Sequence, residues 1–279
     1  MARNNPRQGN DPSAVSDTRT HPSASGKGQV PALQLTGLYK AFGETIAVDH
    51  IDLRVPAGLF FGLVGPNGAG KTTLLSMAVG LLRPDAGMAW IFGIDVWKEL
   101  VHAKKLIGVL PDGLSLPERL TGREILTFLG LLRGLEAEVV ARRAEELLAV
   151  LDLTDTERTL VIDYSTGMRK KIGLATALLH NPRLLILDEP LEAVDPVAAS
   201  TIKTLLRRFV VAGGSVIFSS HVMALVEQLC DQVAVIAKGH VVASGALEQV
   251  RDGMTLEDRF VQLVGARTSG GEELSWLAS

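Results

Sequence analysis

The residues most suggestive of chemistry form a glycine-rich segment that fits the pattern GxxxxGK[ST] and is followed by a second threonine. Glycines in this pattern let successive backbone N–H groups converge on phosphate oxygens, and the start of the following helix adds the positive end of its dipole. We expect Lys71 to reach the β- and γ-phosphates of a nucleotide and Thr72 to offer its hydroxyl to Mg²⁺. The alternative, a chance glycine turn, is disfavoured because an apolar run precedes the segment and a helical pattern follows it. The predicted phosphate-binding residues are Gly65, Pro66, Asn67, Gly68, Ala69, Gly70, Lys71, Thr72 and Thr73.

Two acidic residues, Asp188 and Glu189, follow the apolar run Leu184 to Leu187. One carboxylate at the end of such a strand can hold Mg²⁺ through water, and the next can polarise an attacking water molecule. Taken alone, acids at a strand end are usually only solvated. Together with a phosphate loop they predict hydrolysis, with Asp188 near the metal and Glu189 as the base.

Composition limits the class of protein that carries these residues. The chain has 279 residues, 47% of them hydrophobic, and 28 Lys and Arg against 31 Asp and Glu give a formal charge of −3. These values indicate a globular protein of one or two domains with a large core. The near-neutral charge argues against a basic nucleic-acid surface, so no nucleic-acid partner is expected. The single cysteine, Cys230, excludes an intrachain disulfide and is interpreted as a small buried apolar residue.

The apolar runs of the chain are too short to span a membrane, which requires roughly 20 residues in a helix. They end in Gly or Asp and are typical of strands buried on both faces of a parallel sheet. One such run, Leu59 to Val64, leads into the phosphate loop, and a helix is predicted over residues 71–82. An earlier segment, Ile51 to Val55, alternates apolar and charged residues, which indicates a half-exposed antiparallel strand.

The middle of the chain changes to a helical pattern from Leu120 to Leu153. Thr121 and Glu124 have the spacing of a capping box, and the stretch at 139–151 carries an apolar stripe beside charged residues. These features predict a helical insert, at about residues 113–173, within an α/β domain.

Strand and helix patterns alternate again in the last third of the chain. Runs at Leu184 to Asp188 and Ser215 to Ser219 flank a helical pattern at Ala198 to Val211, which predicts a parallel crossover. Two later strand patterns flank the pair Lys238 and Gly239. This arrangement predicts a hairpin near the end of the fold.

Neither end of the chain has a folded pattern. Residues 1–30 are rich in Asn, Ser, Pro, Asp and Arg and lack the apolar segment of a signal peptide, so they are predicted to form a disordered tail. Residues 266–279 are predicted to form a second tail. The predicted domain therefore covers residues 31–265.

A short segment between the two nucleotide motifs carries a family resemblance. Tyr164 to Met168 occupies the place of the LSGGQ signature, and from Leu33 to Gly265 the chain resembles the ATP-binding cassette (ABC) ATPases. Taken alone, Ser165 would be only a helix N-cap. The resemblance implies a P-loop α/β cassette with a mixed sheet core, an N-terminal antiparallel β subdomain and a helical subdomain that carries the signature. Thr166 replaces a glycine of the signature and Met168 replaces its glutamine.

The resemblance implies roles for residues outside these motifs. Phe42 is similar to the aromatic residue that stacks on adenine, with Tyr39 as a nearby rival and an ordinary core position as the alternative for either. Asp195 corresponds to the acid of the D-loop, and His221 to the histidine that senses the γ-phosphate. Asp112 stands where the family commonly has glutamine; it is expected to approach Mg²⁺ through water, or else to be a solvated loop acid.

The mechanism that the resemblance implies needs two cassettes stacked head to tail. Each ATP lies between the phosphate loop of one chain and Ser165, Gly167 and Met168 of the other. Lys71 contacts the phosphates, Glu189 acts as base and His221 orients the γ-phosphate, whose loss lets the halves separate. ATP and Mg²⁺ are the implied cofactors, and a second cassette, in a homodimer, is one implied partner.

Other features resemble the ATP-binding subunits of bacterial exporters. These are the basic residues 169–171 after the signature and the late segment Leu256 to Phe260; residues 169–171 are alternatively a solvated helix face. This likeness implies a separately encoded membrane permease and a cytoplasmic place at the inner face of the cell membrane. Two alternatives stay open: a soluble clamp or assembly-scaffold ATPase, and a weakly hydrolysing regulatory cassette, the latter suggested by Asp112 and Met168.

Overall fold

The structure, a computed structural model, describes residues 30–265 of the protein. Within this range ten strands form two sheets, and nine α-helices lie around and between them. The predicted tails at residues 1–30 and 266–279 lie outside the described residues, apart from residue 30. No helix in residues 30–265 has the length and apolar character needed to cross a membrane.

The strands are numbered in chain order. They are β1 (Leu33–Phe42), β2 (Thr45–Val55), β3 (Phe60–Val64), β4 (Ala86–Ile91), β5 (Ile94–Asp95), β6 (Ile107–Leu110), β7 (Leu184–Leu187), β8 (Ser215–Ser220), β9 (Gln232–Ala237) and β10 (His240–Ala246). The smaller sheet is antiparallel with strand order β2-β1-β4-β5. Burial alternates along Ile51 to Val55 of β2, as predicted for a half-exposed strand.

The larger sheet has the strand order β10-β9-β3-β8-β7-β6. Its inner strands pair in parallel, and only the β9–β10 edge pair is antiparallel. Successive residues of β3 enter different cores: Phe60 and Val64 face one cluster, whereas Phe61 and Leu63 face the other. The sheet is therefore buried on both faces, which explains why its strands are continuously apolar.

The helices cover the two faces of the larger sheet. They are α1 (Lys71–Ala78), α2 (Leu100–Leu106), α3 (Gly122–Leu132), α4 (Ala137–Val150), α5 (Thr166–Leu178), α6 (Pro196–Val211), α7 (Met223–Leu229), α8 (Leu247–Arg251) and α9 (Leu256–Val264). Helix α1 ends four residues before the predicted position. The reason is local, because Gly80 takes a left-handed φ of +74° directly after the helix.

Helices α3, α4 and α5 stand between β6 and β7 in chain order, and α5 extends to Leu178, past the end predicted for the helical insert at about residue 173. The capping box of α3 is present, since the Thr121 hydroxyl accepts from Glu124 N–H and the Glu124 carboxylate accepts from Thr121 N–H. Helix α4 packs closely on α3, and a Cβ at Gly130 would lie 2.7 Å from Val140. The mixed sheet, the antiparallel sheet and the helical insert confirm the predicted fold class.

The predicted hairpin is also present, and the backbone geometry of its turn explains why it contains a glycine. Lys238 and Gly239 connect β9 to β10 with φ values of +49° and +78°. Positive φ at both positions is typical of the tight turns that match the twist of paired strands. Cys230 is buried after α7, as predicted, and burial raises the pKa of its thiol well above the ordinary value.

Candidate ATP-hydrolysis site

The glycine-rich segment joins β3 to α1 and forms a tight loop against neighbouring backbone. Gly68 and Gly70 have left-handed φ values of +78° and +104°. A Cβ at Gly65 would lie 2.2 Å from the carbonyl oxygen of Ile236, and one at Gly70 would lie 2.2 Å from that of Ala47. Glycine is therefore required at both positions, because a side chain would collide with backbone that cannot move aside.

Lys71 is the first residue of α1, and its ammonium group lies inside the loop. Its side chain is only 6% exposed, and Nζ donates to the carbonyl oxygens of Gly65 at 2.8 Å and Pro66 at 3.2 Å. The same Nζ is 3.5 Å from Oε1 of Glu189. A cation held at the centre of a loop of backbone N–H groups makes a site for polyphosphate.

A cavity of about 290 Å³ opens in front of this loop. Its lining combines the loop with acids that come from distant parts of the chain. The lining residues are Ala47, Asn67, Gly68, Ala69, Gly70, Lys71, Thr72, Thr73, Asp112, Glu189 and Glu192. The fold thus places the carboxylate of Glu189 in the same cavity as the loop backbone.

The two acids after β7 are held by a serine of the adjacent strand β8. The Ser219 hydroxyl donates a short hydrogen bond to Oδ1 of Asp188, and it accepts a 2.9 Å bond from the backbone N–H of Glu189. All three residues are buried. Ser219 therefore fixes the carboxylate of Asp188 and the main chain of Glu189 together.

Glu189 lies between two basic side chains. Besides its approach to Lys71, its Oε2 is 3.2 Å from Nδ1 of His221, a residue that follows β8. Within the described chain, Oε1 of Glu189 and Nδ1 of His221 are buried without a hydrogen-bond partner. Unsatisfied buried polar atoms are costly, and in residues that line a cavity they indicate positions for a bound ligand or water.

The three predicted metal ligands line one smaller cavity of about 90 Å³ beside the phosphate loop. Thr72 contributes a hydroxyl, whereas Asp112 and Asp188 contribute carboxylates. Hard oxygen donors of this kind suit Mg²⁺, which usually keeps several water ligands and also binds phosphate oxygens. In residues 30–265 no group of three or more His, Cys, Asp or Glu side chains is arranged to hold a metal ion. The residues present, one hydroxyl and two carboxylates, are oxygen donors that fit Mg²⁺.

Asp112, at the position where glutamine was expected, has a basic neighbour. Its half-exposed side chain has Oδ1 at 3.9 Å from Nζ of Lys170, and the same oxygen accepts from Gly113 N–H. Nζ of Lys170 also donates to the backbone carbonyl of Glu189 at 2.9 Å. Sequence reasoning assigned no role in the site to Lys170, which is a helical residue 19 positions before Glu189.

The segment that resembles the signature forms the start of α5. Ser165 is the N-cap, and its hydroxyl accepts from Met168 N–H at 3.2 Å. Gly167 is buried against the start of α6, where a Cβ would lie 3.1 Å from Oδ2 of Asp195. Asp195 caps α6, and the N–H groups of Ala198 and residue 197 lower the pKa of its carboxyl.

This segment does not contribute to the cavity at the phosphate loop of its own chain. Ser165, Gly167 and Met168 are absent from the lining of that cavity. The fold thus brings the phosphate loop together with Asp188, Glu189 and His221, and leaves the segment that resembles the signature outside this cavity.

The two candidate adenine-stacking residues differ in exposure. Phe42 is 52% exposed at the end of β1, and Nζ of Lys40 lies 5.5 Å from the centre of its ring. Tyr39 packs against His50, with their ring centres 4.8 Å apart. Phe42 is therefore the more exposed of the two rings.

Comparison with known proteins relates this site to a family. The family model described as "ABC transporter" matches residues 48–192. A daunorubicin/doxorubicin resistance ATP-binding protein of Streptomyces peucetius is 39% identical over 80% of this chain and 68% of its own. A bacitracin transport ATP-binding protein of Enterococcus faecalis is 39% identical over 75% of this chain and 68% of its own.

Solved structures of ATP-binding subunits and cassettes are similar to this chain. The ATP-binding subunit of an ABC transporter superposes with a TM-score of 0.78 and 27% identity, over 84% of this chain and 99% of the solved one. A cassette solved as a dimer after hydrolysis, with ADP and Pi, gives a TM-score of 0.71 over 77% of this chain and 98% of its own. At 23% identity, this second match supports the fold alone.

Proposed function

The chain belongs to the ABC transporter family, and we propose that two copies of it enclose two ATP molecules and drive a separately encoded membrane permease of the exporter type. The chain is an ATP-binding and ATP-hydrolysing subunit, as its family and its relatives indicate. The observation that carries the proposal is that Lys71 and Glu189 approach each other to 3.5 Å in the lining of the cavity at the phosphate loop. Asp188 and His221 adjoin Glu189, the first through the shared hydroxyl of Ser219 and the second at 3.2 Å.

In the proposed reaction the loop and Lys71 bind and orient the phosphates. Loss of the 3.5 Å contact to Glu189 on nucleotide binding would free that carboxylate, because Lys71 would then pair with phosphate oxygens. Glu189 accepts the proton of the attacking water, and His221, beside it, orients the γ-phosphate and the water. Burial makes these charges interact strongly, since little water screens them.

Three residues would hold the metal that accompanies ATP. Thr72 would supply a hydroxyl ligand, and Asp188 and Asp112 would act through water. Mg²⁺, when bound, neutralises charge on the transferred phosphoryl group. The hydrogen bond from Ser219 holds Asp188 in one orientation for this purpose.

The position of the signature supports a head-to-tail dimer. Ser165, Gly167 and Met168 lie outside the cavity of their own chain, yet they start a helix whose N–H groups suit a γ-phosphate. A second chain would bring them to the phosphates, with Asp195 beside them at the interface. Phe42 is proposed to stack on adenine because its ring is exposed.

A groove on the surface supports the proposed permease contact. It encloses about 720 Å³ between the segment after α1, helix α2, strand β6 and the end of α3 with its following loop. Leu81, Val101 and Leu132, each at least 62% exposed, contribute apolar surface, and Lys104 and Arg133 add positive charge. Exposed apolar patches of this kind mark protein interaction sites. We propose that it places the chain at the inner face of the cell membrane.

Glu189→Gln tests the proposed base. We expect turnover to fall at least 100-fold while ATP binding persists, because the amide cannot accept the proton. The variant should also accumulate as an ATP-bound dimer, which size-exclusion chromatography with light scattering detects. The exposed acid Glu138 provides the control, since Glu138→Gln should leave both turnover and dimerisation unchanged. Turnover of Glu189→Gln at the wild-type rate would remove Glu189 from the mechanism.

Val101→Glu tests the groove. We expect the purified variant to hydrolyse ATP at its wild-type basal rate, because Val101 lies outside the ATP cavity. In the native host the chain should move from the membrane fraction to the soluble fraction. Recovery of the wild-type chain in a soluble complex, without membranes, would instead favour a clamp or scaffold ATPase.

A further inference from the structure

We propose that Lys170 is a positioning residue that holds Glu189 in its active orientation from the signature helix. Its ammonium Nζ donates to the Glu189 carbonyl at 2.9 Å, and its side chain is only 15% exposed. Lys170 lies on α5, five residues after the N-cap Ser165. The inference rests on the proposed role of Glu189 as base and adds a residue that acts through it.

The backbone of Glu189 needs such support. Its φ of +45° is in the left-handed region, which costs a residue with a side chain about 1–3 kcal/mol unless its surroundings fix it. Its N–H is bound by the Ser219 hydroxyl at 2.9 Å. Its carbonyl accepts from Lys170 and, at a longer 3.3 Å, from Glu192 N–H within the same turn. Ser219 and Lys170 thus fix Glu189 from two different elements, β8 and α5.

Lys170 also connects Glu189 to the metal side of the site. Its Nζ is 3.9 Å from Oδ1 of Asp112, which lines the same small cavity as Thr72 and Asp188. One ammonium therefore lies between the loop after β6 and the loop after β7. At 3.9 Å the Asp112 contact is weaker than the hydrogen bond to Glu189, so the main effect of Lys170 is on the carbonyl.

The first test compares Lys170→Met with Lys170→Arg in ATP turnover by the purified full chain. We expect kcat to fall about 10- to 100-fold in Lys170→Met, with the ATP concentration for half-maximal rate changed less than twofold. Lys170→Arg should retain at least a third of the wild-type rate, because a guanidinium can donate to the same carbonyl. Lys203→Met, which removes an equal charge from α6, is the matched control and should retain the wild-type rate.

A second test asks whether Lys170 acts through Glu189. In a Glu189→Gln background, adding Lys170→Met should change the residual rate less than twofold. An equal fall in both backgrounds would overturn the proposal, because Lys170 would then act independently of Glu189. Wild-type turnover of Glu189→Gln alone would instead contradict the proposed function, so the two failures are distinguishable.

A third measurement separates Glu189 from Asp112. If Lys170 served only to neutralise Asp112, Asp112→Asn would abolish the effect of Lys170→Met, and this result would also overturn the proposal. We expect at least three quarters of the effect, on a logarithmic scale, to remain in the Asp112→Asn background. Thermal unfolding of each variant identifies any loss of rate that follows from loss of the fold.

Discussion

Nδ1 of His221 lies 3.2 Å from Oε2 of Glu189, although the two residues end neighbouring segments of the sheet and are far apart in sequence. The histidine is one-third exposed, whereas the glutamate side chain is 10% exposed. Both residues line a small cavity of about 30 Å³, which shares Glu189 with the larger cavity at the phosphate loop. This position suits a histidine that responds to changes at Glu189.

His221→Ala should lower kcat about 100-fold, the lower end of the usual loss when one preorganised group that stabilises transition-state charge is removed. ATP affinity should change less than threefold, because the proposed phosphate contacts are made by the loop and Lys71, which the variant leaves intact. Turnover and fluorescent-nucleotide binding, measured on the same preparation, check both numbers. His102→Ala on the exposed side of α2 is the control. Unchanged turnover in His221→Ala would contradict the assigned role.

Ser219→Ala should lower kcat about tenfold. The variant leaves Glu189 N–H and Asp188 Oδ1 without their shared hydroxyl, a loss of about 1–3 kcal/mol for buried groups. The control lies on the same strand: Ser215 accepts from Gly58 N–H at 2.8 Å, far from the acids. Both variants should lower the urea midpoint of unfolding, but Ser215→Ala should keep the wild-type kcat. Equal kcat values for the two variants would show that Ser219 has only a structural role.

The order of strands and helices could be predicted because each element is encoded locally. Leu59 to Val64 is continuously apolar since β3 faces core on both sides, and Thr121 with Glu124 marks the start of α3. The end of α1 was predicted four residues too late because Leu81 and Leu82 continue the apolar pattern. Gly80, whose left-handed backbone stops the helix, outweighs that pattern.

The residues that support Glu189 could not be predicted in the same way. Ser219 and Asp188 are 31 residues apart, and their contact depends on β7 and β8 being adjacent and in parallel register. In the sequence, Ser219 is recognisable only as one of the hydroxyl residues in a strand whose centre is apolar. No sequence pattern indicates that Lys170 supports Glu189, since a basic residue on a helix is usually solvated. Such contacts follow from topology, which the local pattern does not specify.

Asp112→Asn should raise the Mg²⁺ concentration for half-maximal turnover about tenfold, the lower end of effects measured for groups that act on a metal through water. Thr72 and Asp188 would remain, so saturating Mg²⁺ should recover most of the rate. Chelation of all divalent metal should abolish turnover in both proteins. Asp155→Asn, which changes an exposed acid on a distant turn, is the control. An unchanged Mg²⁺ requirement would identify Asp112 as a solvated loop acid.

His180 should make the folded chain less stable as pH falls. Burial, followed by the nearby charge of Arg133, lowers the pKa of His180 to about 4, while its ring nitrogen bonds the carbonyl of Ile107 at 2.8 Å. The unfolded chain takes up this proton near pH 6.5. Between these two values the unfolded state therefore binds more protons, so stability decreases as pH falls from about 6.5 toward 4.

His180→Gln removes this titration and keeps an N–H donor for Ile107. Between pH 7 and pH 5, the wild-type free energy of unfolding should fall by about 1 kcal/mol more than that of the variant, after allowance for partial solvent exposure. Urea unfolding at both pH values measures the difference, and a third measurement at pH 8 should show no further divergence from pH 7. Parallel losses in the two proteins would mean that His180 takes up its proton in the folded chain as readily as in the unfolded one.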